Sequence, residues 1–223
     1  MKKIEVEDWV YDGLMERCRV LGYESVNDLL IDEVLRRAVP LTYRKKVAEF
    51  MWSNLLGLDI DEDELIDSVI ERIVFNAIDK YGHLVSNVDL LSGTVFELLV
   101  LKPIYENTDL DFVYKGVQVG FGLTRGEIDL KDVFGMPDIV VGKNGRIHTL
   151  IEVKKQSKFS IDEPDRFKLL YFAKKGFNMI LVTTAGRPKK SQIYEDLVNG
   201  GIRIEFVSYY GNILNVVEAL KVI

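Results

Sequence analysis

The stretch MPDIVVGKNGRIHTLIEVK, Met136–Lys154, decides the fold. Two short runs rich in apolar, β-branched residues flank GKNGR, the pattern of a β-hairpin. The first run opens on Pro137-Asp138 and the second closes on Glu152-Val153-Lys154. Charges among buried strand residues are costly unless they are paired or bind a metal. If Lys143-Asn144-Gly145 is a three-residue loop, Gly145 supplies its left-handed position and Gly142 faces Arg146. That register sets Asp138 opposite Leu150. It makes Asp138 and Glu152 diagonal neighbours on one face, about 7–8 Å apart, with Lys154 one alternation further on. A slip of one residue, as an even loop gives, sends Asp138 to the other face.

Two carboxylates leaning together in this way can share a hard divalent cation, Mg²⁺ or Mn²⁺, which takes oxygen ligands and keeps several waters. Lys154 then stands where it can orient or acidify an attacking water, or meet charge developing on a phosphate. Asp138, Glu152 and Lys154 are therefore the expected catalytic set, with Asp138 and Glu152 as metal ligands. The competing reading of the same residues is an ion pair at a strand end, with no chemistry.

The rest of the composition narrows the chemistry. The chain has 223 residues, 48% of them hydrophobic, enough for a sizeable core. One cysteine, Cys18, excludes an internal disulfide and a cysteine-rich zinc site. Two histidines, His83 and His148, leave little material for a Ser/His triad or a multi-His metal centre. No apolar run reaches the ~20 residues of a membrane span. The opening MKKIEVEDWV has no apolar signal core, so an intracellular, cytoplasmic protein is expected.

Charge is unevenly spread. Residues 1–91 carry 11 Lys and Arg against 19 Asp and Glu, whereas residues 143–190 carry 12 against four. A basic segment beside a carboxylate cluster suits a polyanion approaching a metal. Lys155, Lys158, Arg187, Lys189 and Lys190 are the expected DNA contacts. The plainer reading is a solvated, lysine-rich face.

Residues 1–91 read as mostly helical, after a short alternating KIEVE. Helices are expected over EDWVYDGLMERCRVLG, over SVNDLLIDEVLRRAV with Ser25 as N-cap and Pro40 beyond, over 41–56, and over DEDELIDSVIERIVFNAIDKYG ended by Gly82. From Ser92 the texture changes, so residues 92–223 are expected as a second unit. SGTVFELLVLKPIYE reads as a helix capped by Ser92 and interrupted near Pro103. Strands then alternate with helices, including DEPDRFKLLYFAKKG with Pro164 in its first turn. The expected fold class is α/β, a mixed central sheet flanked by helices with a helical N-terminal region.

Pro137-Asp138 and Glu152-Val153-Lys154, with thirteen residues between the two acids, resemble the PD-(D/E)XK nuclease superfamily and its restriction-endonuclease-like core. That resemblance implies a Mg²⁺-dependent deoxyribonuclease. It also implies a further metal ligand on the helix before the sheet, where Glu97 in SGTVFELLVL is the match. Within the superfamily, SKFSIDEPDRFKLLYFAKKGFNMILVTT after Glu-x-Lys is similar to archaeal Holliday-junction resolvases, which implies branched DNA as substrate and a homodimer. This likeness covers about residues 92–207. The chain as a whole also resembles a nuclease-like protein of archaeal spindle-shaped viruses, which would place it in a host cell's cytoplasm.

Gln156 is a polar helper on this reading, or a solvated side chain at a strand end. The first 37 residues resemble a ribbon-helix-helix unit, whose outward strand residues here are Lys3, Glu5 and Glu7. Two acids facing phosphates argue against DNA readout there, so the helix pair reads as a dimerisation or packing element. The alternative to a nuclease is a DNA-binding regulator, or a structural protein, with an inert core of the same fold.

Overall fold

The sequence alternates strands and helices after residue 110, and in the computed structural model those strands form one six-stranded mixed sheet in the order β2-β1-β3-β4-β5-β6. The structure describes residues 7–21, 24–27, 29–30, 41–60, 65–82, 88–133, 135 and 137–207. The helical elements are α1 (Asp8–Leu21), α2 (Leu41–Leu56), α3 (Ile66–Tyr81), α4 (Val88–Glu106), α5 (Glu163–Lys174) and α6 (Gln192–Asn199). The strands are β1 (Asp111–Gly116), β2 (Phe121–Arg125), β3 (Ile139–Lys143), β4 (Arg146–Lys154), β5 (Asn178–Thr183) and β6 (Arg203–Phe206). Lys3 and Glu5 lie outside the described residues, as does most of the helix expected from Ser25 to Pro40.

β1 to β4 pair antiparallel, whereas β4, β5 and β6 run parallel through the crossover helices α5 and α6. Central strands covered on both faces need apolar residues at successive positions, and β5 is buried throughout from Met179 to Thr183. On one face, Tyr114, Ile139, Ile151 and Val182 pack with Met51 of α2, Ile73 of α3 and Leu98 of α4. On the other, Val140, Leu150 and Leu181 meet Leu169 and Phe172 of α5 and Leu197 of α6.

α2 and α3 thus share one core with the sheet. The division expected at 91/92 falls inside α4, which begins at Val88, so Ser92 is a residue of that helix and not its cap. Pro103 does not interrupt α4 either. It stands in the last turn, where its missing N–H costs α4 one bond, to the Leu99 carbonyl, but the helix runs on to Glu106 and the Pro103 carbonyl accepts from Asn107 N at 3.1 Å. Arg125 closes the end of the helix by donating to the carbonyls of Ile104, Tyr105, Asn107 and Leu110. α5 starts where its sequence indicates: Asp162 accepts from Asp165 N at 2.9 Å, with Pro164 in the first turn.

The central hairpin departs from the expected register. Its loop has two residues, Asn144 and Gly145, at φ 54° and 75°, and Lys143 pairs with Arg146. Positive φ at both central positions is the turn that matches strand twist. Such an even loop would put Asp138 on the wrong face, but the ladder shifts between Val141 and Gly142. His148 is the extra residue of a bulge, because Gly142 pairs with Ile147 and Val141 with Thr149. Leu150 therefore faces Val140 rather than Asp138. The even loop and the bulge cancel in parity.

Candidate active site

Beyond the bulge the ladder runs Val140–Leu150 and Ile139–Ile151. One step further, Asp138 comes directly opposite Glu152, and Asp138 Oδ2 accepts from Val153 N at 2.8 Å. On the other side of β3, Tyr114 pairs with Ile139, and Lys115 N donates to the Asp138 carbonyl at 3.4 Å. Lys115, Asp138 and Glu152 so form a row across three strands. Their face is the one that α5 covers, since Val113, Val140 and Leu150 belong to that core.

Glu97 approaches from α4. It is half-buried in a helix otherwise dominated by aliphatic residues, and Tyr114 Oη donates to its Oε2 at 2.8 Å. Burial first, and then the Asp138 carboxylate, push the Glu97 pKa up from 4.5 to about 8. Burial, followed by the charge on Glu152, raises Asp138 to about 6, against the pull of Val153 N–H, Lys154 and Lys168. Burial and Glu97 likewise drive the Tyr114 phenol well above its ordinary value. Both carboxyls, Glu97 on α4 and Asp138 before β3, are thus pushed upward by burial and by a neighbouring carboxylate, a pattern concentrated at functional sites.

Glu152 is only 2% exposed and sits among cations. Lys154 Nζ stands 3.1 Å from its Oε1 and 2.6 Å from Asp165 Oδ2. Lys168 Nζ stands 2.7 Å from Glu152 Oε2 and 3.3 Å from Asp165 Oδ1. At 2.7 Å the Lys168 ammonium balances the charge on Oε2 as Lys154 does on Oε1. Burial lowers both lysines' pKa values, but the surrounding carboxylates outweigh it and hold both above the ordinary range. Asp165, which burial would raise, is instead held low by Lys154 and Lys168.

Asp165, Lys168 and Tyr114 were not singled out from the sequence. Asp165 and Lys168 lie on the α5 stripe that continues through the buried Leu169 and Phe172, so helical spacing could have marked them.

A cleft of about 440 Å³ opens at this end of the sheet. Glu97, Lys115, Asp138, Lys154 and Lys155 line it, and Glu152 lies behind them. The other expected basic residues follow the carboxyl ends of β4 and β5. Lys158, Arg187, Lys189 and Lys190 are all exposed, and Arg187 also lies over the rings of Tyr194 and Phe206. Lys155 is paired with Asp67 of α3 at 3.4 Å. Gln156 does not face the cleft chemistry. Its backbone N–H donates to Thr184 Oγ1 at 2.9 Å and its side chain to Thr183 Oγ1 at 3.2 Å, binding the ends of β4 and β5 together.

The donor set for a cation consists of carboxylate oxygens alone, the chemistry Mg²⁺ and Mn²⁺ prefer. Glu152 Oε2 is met by the Lys168 ammonium at 2.7 Å, so an ion bound there would take that ammonium's place. Among the described residues, no three Asp, Glu, His or Cys side chains stand close enough together to share one ion. Asp138 and Glu152 therefore fit as a pair, with Glu97 across the cleft.

No protein-family model matches the chain, and no curated protein matches it in sequence. Among the described residues no helix is long and apolar enough to cross a membrane.

Proposed function

We propose that this chain is a metal-dependent DNA endonuclease that hydrolyses phosphodiester bonds. The observation that carries the reading is the placement of Asp138 across from a buried Glu152, with Lys154 at 3.1 Å from Glu152 and Glu97 on the facing helix. Asp138 and Glu152 would hold Mg²⁺ or Mn²⁺ as a pair, with Glu97 across the cleft facing the ion's waters rather than serving as a third direct ligand. When bound, the ion would acidify water and offset phosphate charge. Lys154 presents its ammonium to the cleft, where negative charge develops as the phosphodiester is attacked. Asp165 holds that ammonium in place from behind. The exposed Lys158, Lys189 and Lys190 offer a basic border to the DNA backbone.

The test offers labelled duplex, single-stranded, flap and four-way-junction DNA with Mg²⁺ or Mn²⁺, against EDTA and an Asp138→Asn control. Metal-dependent cleavage lost in the control supports the reading, and preference for the junction would support the branched-DNA and homodimer expectation. Cleavage that persists in the control would overturn the site.

One observation favours a second reading, a DNA-binding protein with an inert core. Each Glu152 oxygen already meets a lysine ammonium, so its charge is balanced without a metal ion. Calorimetric titration with Mn²⁺ separates the two, since the inert core takes up no cation at Asp138 and Glu152.

A further inference from the structure

The cations lining the cleft are not equivalent. Lys154 is engaged by Asp165 and Glu152, and Lys155 by Asp67. Lys115 is exposed, lines the same cleft, and forms no ion pair among the described residues. Its position is fixed even though its ammonium is not. Its backbone N–H is tied to the Asp138 carbonyl, and β1 is held between β2 and β3. The next residue, Gly116, is required there, because a Cβ would come 2.7 Å from Tyr114 Oη, the hydroxyl that reaches Glu97. Tyr114 and Lys115 thus serve opposite faces of one strand, the first steadying Glu97 and the second offering an uncompensated charge beside Asp138.

We propose that Lys115 is a positioning residue that binds a backbone phosphate of DNA flanking the one attacked at Asp138 and Glu152. The inference rests on the nuclease reading of this cleft. Lys115 stands two strands from Glu152, about 10 Å at the usual interstrand spacing. Lys154 already presents its ammonium to the attacked phosphate from the β4 side, which leaves the ammonium of Lys115, on the β1 side of Asp138, for a neighbouring phosphate on the same strand of DNA. The sequence reading placed the DNA contacts only in residues 155–190. Lys115 extends them to the opposite wall of the cleft, so that the strand is gripped on both sides of the acids.

The experiment measures labelled-DNA binding by anisotropy in EDTA across a salt series, and single-turnover cleavage with Mg²⁺, for the wild type, Lys115→Ala and Lys115→Arg. Lys131→Ala serves as control, because Lys131 pairs with Asp129 outside the cleft. Lys115→Ala is expected to weaken binding roughly tenfold and to reduce the salt slope by about one, the signature of one lost phosphate contact. Cleavage at saturating protein should hold, Lys115→Arg should restore binding, and Lys131→Ala should behave as the wild type. A salt slope unchanged in Lys115→Ala overturns the proposal, as does a fall in saturating rate with affinity intact, which would put Lys115 in the chemistry. If the wild type binds but never cleaves, and the slope still drops, the nuclease reading falls and the phosphate contact stands. If the wild type binds no DNA, both fall.

Discussion

Asp138, one residue before β3, comes level with Glu152 one step past the Ile139–Ile151 pair, and Asp138 Oδ2 is fixed by Val153 N at 2.8 Å. Directly opposed residues bring their Cβ atoms to about 4.5–5.5 Å, closer than the diagonal relation the hairpin sequence had indicated. Two carboxylates so near, with Glu152 almost wholly buried, are tolerable only with compensating charge. In this structure Lys154 and Lys168 provide it.

The first prediction separates the two acids by their effect on folding. Asp138→Asn and Glu152→Gln are each expected to abolish metal-dependent cleavage. Only Glu152→Gln should also destabilise the fold appreciably, because it strands two partly buried ammonium groups. Since Lys154 and Lys168 keep some solvent contact, the loss should be about 1–3 kcal/mol. Urea unfolding measures this, and equal stability of the two variants would mean that the lysine cluster does not depend on Glu152.

The second distinguishes two lysines that contact the same carboxylate. Lys154 lines the cleft and Lys168 does not. Lys154→Ala is expected to lower the single-turnover rate ~10²–10³-fold, the scale of one preorganised electrostatic contact, while cation affinity holds or rises. Lys168→Ala should cost less than about tenfold, since it acts through Glu152 and Asp165. Reversal of that order in single-turnover assays would make Lys168 the ammonium that meets the phosphate.

The third concerns pH. The folded chain holds the Glu97 proton up to about pH 8, against an ordinary value of 4.5. Between those values the unfolded chain has lost a proton that the folded chain keeps, so stability falls as pH rises through the window. Glu97→Gln, which resembles the protonated carboxyl, should flatten this dependence by on the order of a few kcal/mol. Unfolding in EDTA at about pH 5 and about pH 8 checks it, and parallel behaviour of wild type and Glu97→Gln would show that burial does not hold that proton.

These predictions draw unequally on what the sequence discloses. The alternation of residues 137–154 disclosed the hairpin, and the costliness of charge on it disclosed Asp138, Glu152 and Lys154. Asp162 and Pro164 disclosed the start of α5 because capping is local chemistry. Which residues stand opposite was not legible, since His148 carries no local mark of a bulge and the ladder on both sides decides where the extra residue goes. Tyr114 and Lys115 escaped notice for a similar reason. Their neighbours Glu97 and Asp138 are distant in sequence, so only the β1–β3 register brings them together. The charge and texture change near Ser92 marked no boundary in space, because α4 passes through it and carries apolar residues of α2 and α3 into the sheet's core.

The bulge itself supplies the last prediction. Lys143–Arg146 and Gly142–Ile147 pair on the turn side, and Val141–Thr149 through Ile139–Ile151 pair on the site side, with His148 as the one residue left over. Removing His148 lets Thr149 follow Ile147 directly, and every one of those pairs survives in an unbroken ladder. Asp138 stays opposite Glu152. What is lost is the local twist of the bulge and the 3.1 Å contact of His148 Nδ1 with Thr149 Oγ1, worth about 1 kcal/mol together. Deletion of His148 is therefore expected to leave a folded protein with metal-dependent cleavage within about tenfold of wild type. Inserting one Ala between Ile151 and Glu152 makes a change of the same length on the other side of the register, and it turns Glu152 toward the α4 face. That variant should lose cleavage entirely and much of its stability, since it drives both Glu152 and Lys154 toward an apolar core, away from Lys168 and Asp165. Cleavage assays and thermal melts on the two variants decide it. A folded His148 deletion that cannot cut, beside an insertion that can, would show that the pairing of Asp138 with Glu152 is not what aligns the site.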